Sequence, residues 1–231
     1  MSKGLKVAVS WSGGKDSCFS LFRSIGQSPG ACQVCFLLNM VNRDAKRSMS
    51  HGLDPKLIAT QAEAMEIPIL QRETTWETYE QEFKRAVAEL KQKGIDGVVF
   101  GDIDLQEHKD WVERVCGELG VNPILPLWGA EPQRLLSDFI DAGFEAVVVT
   151  AKAELFSEKW LGRNMSSEFI EDLDRLSKES NIHICGEQGE YHTFVIDGPI
   201  FKRRIKIIDT SKVLREGYRF LDISRYELVG K

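Results

Sequence analysis

Two hydrophobic rhythms alternate along the first half of the chain. Short stretches that are apolar throughout, at residues 5–11, 34–41, 67–70 and 97–101, predict four buried strands. Between them apolar positions recur at helical spacing. The clearest case is 76–93, where Tyr79, Phe83, Val87 and Leu90 fall at i, i+4, i+8 and i+11. Further helices are predicted at 16–25 and 55–65, and around Trp111, Val115 and Leu119. Strands apolar on both sides and separated by helices predict a parallel sheet covered on both faces, with ligands beyond the carboxyl ends of its strands. Ser12, the residues around Asn39 and Met40, and Gly101-Asp102 all fall at such ends, so one pocket could collect them.

The pattern resets at Pro126-Leu127-Trp128-Gly129. A helix (132–142), a strand (145–151) and a helix over 166–180 capped by Ser166 follow. Short strands are then expected at 182–185, 192–196, 205–209 and 219–228. The division is therefore an α/β, Rossmann-like (HUP-type) unit over 1–127 and a smaller α+β unit over 128–231, with its own sheet or sharing the first.

At 231 residues, 42% hydrophobic and 28% charged, the chain has an ordinary globular composition. A net charge of −5 argues against a broad nucleic-acid grip. No apolar run approaches a membrane span, and residues 1–4 lead directly into a strand, so a cytoplasmic protein is expected. Five scattered cysteines do not form a disulfide framework. Cys32 and Cys35, three apart in a strand, point to opposite faces and cannot share a metal.

Candidate chemistry concentrates at Ser12-Gly13-Gly14-Lys15-Asp16-Ser17. Strand, Gly-Gly turn and helix N-terminus form an anion-binding backbone. Lys15 adds a mobile charge, and Ser12 and Ser17 add hydroxyl donors. Spacing excludes a Walker A loop, and the glycines do not fit the dinucleotide pattern. Asp16 beside a phosphate site requires a screening lysine or metal, which makes it a candidate Mg²⁺ ligand.

The second dense stretch, Gly186-Glu187-Gln188-Gly189-Glu190, places two carboxylates on a predicted loop. They could hold Mg²⁺ or an amine, act as acid and base, or simply be solvated in a hairpin turn. Arg163, in Trp160-Leu161-Gly162-Arg163, could pair with a phosphate or carboxylate, or cap a loop carbonyl. Asp102 and His108 follow the fourth strand and His51 follows the second; each is either a site residue or an ordinary loop residue. Lys202-Arg203-Arg204 reads as the solvated face of an edge strand.

The S-G-G-K-D-S string resembles the PP-loop of ATP pyrophosphatases. Together with Trp160-Leu161-Gly162-Arg163, residues 186–194 and Gly198-Pro199-Ile200-Phe201-Lys202, it makes nearly the whole chain similar to the diphthine–ammonia ligases. That resemblance implies an ATP-binding unit followed by an acceptor-binding unit. The implied reaction adenylates the carboxylate of diphthine, a modified histidine on elongation factor 2, and ammonia then displaces AMP. ATP and Mg²⁺ are the implied cofactors. Ser12, Gly13, Gly14, Lys15 and Ser17 would hold phosphates, with Asn39, Met40, Gly101 and Asp102 completing the nucleotide site. Lys15, Asp16, Glu187 and Glu190 would be catalytic, and His51, His108, Trp160, Gly162, Arg163, Gly186 and Gly189 would meet the substrate. A second copy, as a homodimer, is a further expected partner.

Two departures weaken the acceptor end. Residues 47–50 lack the aromatic S-Y-M-Y pattern of eukaryotic and archaeal ligases, and 105–111 lack their Tyr-Gln-Arg-type segment. This pattern resembles bacterial relatives whose hosts lack diphthamide. A PP-loop enzyme with a small-molecule or tRNA acceptor, and a non-catalytic ATP-binding module, are the competing readings.

Overall fold

The computed structural model describes residues 4–26, 32–49, 51–180 and 182–231. Residues 1–3 ahead of the first strand, and Ser50 of the divergent loop, lie outside them. In chain order the elements are β1 (Leu5–Ser10), α1 (Lys15–Gly26), β2 (Cys32–Asn42), β3 (Arg47–Ser48), α2 (Pro55–Met65) and β4 (Ile69–Thr74). Then come α3 (Tyr79–Gln92), β5 (Gly97–Val99), α4 (Gln106–Leu119), β6 (Asn122–Ile124), α5 (Pro132–Asp141) and β7 (Glu145–Lys152). A 3₁₀ turn at Glu158–Trp160 precedes α6 (Ser167–Glu179), β8 (Tyr191–Asp197), β9 (Arg203–Arg215) and β10 (Tyr218–Gly230).

Five parallel strands run in the order β4-β2-β1-β5-β6. The central strands are buried on both faces, so alternate residues feed two cores. Val7, Val9, Leu37 and Val99 meet α1 and α2 on one face, and Ala8, Leu38, Val98 and Phe100 meet α3 and α4 on the other. Cys32 packs against the first core and Cys35 against the second, as their spacing predicts. The order reverses between β1 and β5, which puts the β1–α1 loop at the topological switch point.

β4 already pairs with Val41 and Asn42 on one edge of β2. β3 pairs with the same two residues, so it takes the other edge, in the lane that β1 vacates at Ser10. This two-residue strand, not foreseen in the sequence, therefore lies over the exit of β1.

The second sheet is separate and antiparallel, in the order β8-β7-β10-β9. β9 is an edge strand, as Lys202-Arg203-Arg204 suggested, and both β9 and β10 are longer than expected. The strand expected at 182–185 is absent; that stretch is a turn. Its Cys185 and Glu187 amides face His183 Nδ1, at 3.2 and 3.5 Å, so local side-chain bonding replaces a ladder. Helix α3 starts at Tyr79, not Trp76, because the Thr78 hydroxyl takes the Thr75 N–H in a turn. In α4 the buried positions are Val112, Val115 and Cys116, rotated from the Trp111 stripe; Trp111 donates its indole N–H to Glu80. Ser166 caps α6 by accepting from Phe169 N–H, as predicted. Among the described residues, no helix is long and apolar enough to cross a membrane.

Candidate functional site

The β1–α1 loop turns at Gly13, whose φ of +85° suits glycine. Both sheets hold it. Val195 N–H of β8 donates to Gly13 O, and the buried Gln61 side chain bridges Gly13 O and Val195 O. Lys15 N–H, an orphan amide of the first helical turn, donates to the Thr193 hydroxyl at 3.0 Å. Ser12 Oγ accepts from Gly14 N–H at 3.3 Å and donates to Ser17 Oγ at 3.2 Å.

Lys15 is not mobile. Its side chain is almost wholly buried, with the ammonium 2.7 Å from Asp16, donating to Cys185 O and lying over the Tyr191 ring. Burial opposes its charge, but Asp16, Tyr191 and Cys185 outweigh that and raise its pKa. Burial raises Asp16, against the pull of Lys15.

A cavity of about 220 Å³ opens at the switch point. It gathers Ser12, Lys15, Asp16, Ser17, Asn39, Met40, Gly101 and Asp102, so the three strand ends do converge. His51, His108, Gly186 and Glu187 line it as well. Asn39 also has a tie of its own, donating to Trp11 O, while Met40 O is taken by Met49 N–H. His108 Nδ1 pairs with Asp102 at 3.0 Å, and that hydrogen bond raises the pKa of His108.

Glu187 and Glu190 part company. Glu190 is buried and accepts from His183 and Gln188 N–H, so it shapes its own loop and does not line the cavity; neither does Gly189. Glu187 faces the cavity and accepts from Ile103 N–H at 3.3 Å. Burial, then repulsion from Asp16, raises it to about 7. Trp160, Gly162 and Arg163 lie outside the cavity. Arg163 pairs with Asp172 at 2.7 Å and stacks over Trp160 and Phe169, pinning α6.

Three residues had no role assigned from sequence, although His192 and Thr193 fall within the 186–194 stretch. Thr193 and His192 lie on β8 and touch the loop only through tertiary packing. His183 donates from Nε2 to Asp104, given that its Nδ1 accepts amides, and this fastens the Glu187 loop to the segment after β5. The Gly-Glu density at 186–190 was the only nearby signal for it. The His51 and His192 rings are in contact, tilted by 41° with centroids 4.5 Å apart. Burial lowers both pKa values, His192 to about 4, so both stay neutral at pH 7. His51 Nδ1 is buried without a partner among the described residues.

Asp16, Asp102 and Glu187 repel one another across the cavity. Among the described residues no group of three His, Cys, Asp or Glu could hold a metal by itself. Mg²⁺ still fits here, because it is commonly held by phosphates and one or two carboxylates.

Comparison with known proteins gives a consistent result. Residues 5–123 match the family model described as the diphthamide synthase N-terminal domain, and 131–229 match the diphthamide synthase C-terminal domain. A diphthine–ammonia ligase of Rattus norvegicus is 31% identical, over 98% of this chain and 91% of that protein. One of Danio rerio is 30% identical, over 95% and 92%. A solved structure titled as a predicted subunit of tRNA methyltransferase from Methanocaldococcus jannaschii aligns over 84% of this chain and 98% of its own, at 17% identity. Its TM-score of 0.44 is too low to bear on fold or function.

Proposed function

The chain belongs to the diphthamide synthase family, and on that footing we propose that it is an ATP-dependent, AMP-forming amide ligase. A carboxylate oxygen of the acceptor attacks the α-phosphorus of ATP and pyrophosphate leaves. The nitrogen of ammonia then attacks the acyl carbon, the acyl–oxygen bond breaks, and AMP departs. The acceptor is the carboxylate of diphthine on elongation factor 2 where the host makes that residue. Residues 1–127 supply the nucleotide site, and 128–231 supply the back of the loop and the acceptor side.

Ser12, Ser17 and the amides of Asp16 and Ser17 at the start of α1 bind the phosphates, the Lys15 amide being held by Thr193. Lys15, fixed by Cys185 O and Tyr191, holds its charge beside the leaving pyrophosphate without needing to be reordered. Asp16 and Asp102 would hold Mg²⁺, which neutralises charge on the phosphates when bound. Glu187, poised near neutrality, takes the proton that the attacking ammonia loses.

The observation that carries this reading is that Glu187 shares one cavity with the Ser12–Ser17 loop, 170 positions away from Ser17. Its test is incubation of the purified protein with ATP, Mg²⁺, ammonium and diphthine-bearing elongation factor 2. AMP, pyrophosphate and amide should form in equal amounts, and chelating the Mg²⁺ should stop all three. ATP bound but never cleaved to AMP would refute an enzyme.

A further inference from the structure

The nucleotide cavity shares Ser48, Met49 and His192 with a second, larger cavity of about 550 Å³. The second chamber is bounded by Trp76 ahead of α3, by Met49 after β3, and by Tyr218 and Phe220 at the start of β10. Trp76 is 67% exposed, unusual for so large an apolar surface unless something is meant to cover it. The nearby arginines are already occupied. Arg47 donates to Gly52 O and pairs with Asp222 at 2.8 Å, and Arg215 donates to Asp222 at 2.9 Å, so neither is a free anion trap at the wall. Aromatic and thioether surface dominates instead.

His192 is the partition between the chambers. It stands next to Thr193, which fixes the amide of Lys15, and its ring packs at a tilt against His51. Both imidazoles are neutral, and His51 Nδ1 has no partner among the described residues. A group entering past His192 meets hydrogen-bonding nitrogen without meeting a fixed charge.

We propose that this second chamber is the acceptor site: the stem of the carboxylate substrate lies against Trp76, Met49, Tyr218 and Phe220, and its carboxylate passes His192 to reach the α-phosphate in the first cavity. The proposal rests on the ligase reading above and locates the substrate that reading requires. Continuity with the nucleotide cavity fixes the occupant, because an acceptor must approach the α-phosphorus from outside the space that ATP fills. The hairpin turn between β9 and β10 and the turn between β2 and β3 form the rim, so the remainder of a macromolecular acceptor would rest on them.

Two variants test it, with diphthine-bearing elongation factor 2 as acceptor. Trp76→Ala removes an exposed ring without opening the core. Ala45→Trp fills the mouth from an exposed turn that also lines the chamber. In each, KM for the acceptor should rise about tenfold or more, the scale of losing one large aromatic contact. KM for ATP, and kcat at saturating acceptor, should stay within about twofold of the unaltered protein for Trp76→Ala. An unchanged acceptor KM in both variants overturns the proposal, as does an equal rise in KM for ATP. The unaltered protein is the control for the underlying reading. Failure to bind ATP, or to release AMP with this acceptor, defeats the ligase assignment and the chamber with it. Normal turnover that both variants leave untouched defeats only the chamber.

Discussion

Glu187→Gln isolates the electrostatics of the cavity without any acceptor. The carboxyl of Glu187 is raised from 4.5 to about 7 by burial first and by Asp16 second. Carrying it that far corresponds to roughly 3 kcal/mol. The sign follows from proton binding. Between about pH 4.5 and pH 7 the folded protein keeps a proton that the unfolded chain releases, so the native state loses stability as pH rises through this window. Glutamine cannot ionise and escapes that loss. Scanning calorimetry should therefore find the variant and the unaltered protein equal at pH 4.5. The variant should gain progressively up to pH 7 and then keep a constant advantage of about 3 kcal/mol. For a chain of this size that is roughly 6–12 °C in Tm. A difference independent of pH, or an unaltered protein that is the more stable at pH 8, would refute the claim that Glu187 carries unfavourable charge.

Other substitutions separate the site from its scaffold. Lys15→Ala should cost roughly 2–4 kcal/mol of transition-state stabilisation, read as a fall in kcat/KM for pyrophosphate release, by comparison with the loss of one oxyanion donor. Gly14→Ala places a methyl group 2.4 Å from His51 Nε2, so ATP affinity by calorimetry should drop at least tenfold even if the fold survives. Arg163→Ala should lower Tm by about 2–4 °C, from losing a part-exposed ion pair and two ring contacts, yet leave KM for ATP unchanged.

The parallel sheet was legible because its strands and helices differ so plainly in hydrophobic period. Val7, Ala8 and Val9 are all apolar because each faces a core. The phosphate loop was legible from glycine spacing next to a strand. What local pattern could not reveal is how side chains spend their hydrogen bonds. Glu187 and Glu190 look equivalent three residues apart, but one faces the cavity and the other binds amides of its own loop. Arg163, in a motif rich enough to suggest a site, turned instead toward Asp172. His192 and Thr193 lay inside the 186–194 stretch, but their part could not be read from it, since a strand joins the site only by packing against Gly14 and Lys15.

That packing gives the molecule an order of assembly. The loop at 12–17 leaves the ribosome well before β8, at a stage when its strand and helix could already pair. Three of its fastenings, Thr193 Oγ1 to Lys15, Val195 N–H to Gly13 and the Val195 carbonyl to Gln61, do not yet exist. At roughly 5–20 residues per second, they arrive many seconds later. The cradle therefore takes its final shape only after β8 has been made and docked. A chain truncated before β8 lacks these three bonds, and with them the fixed geometry of the cradle.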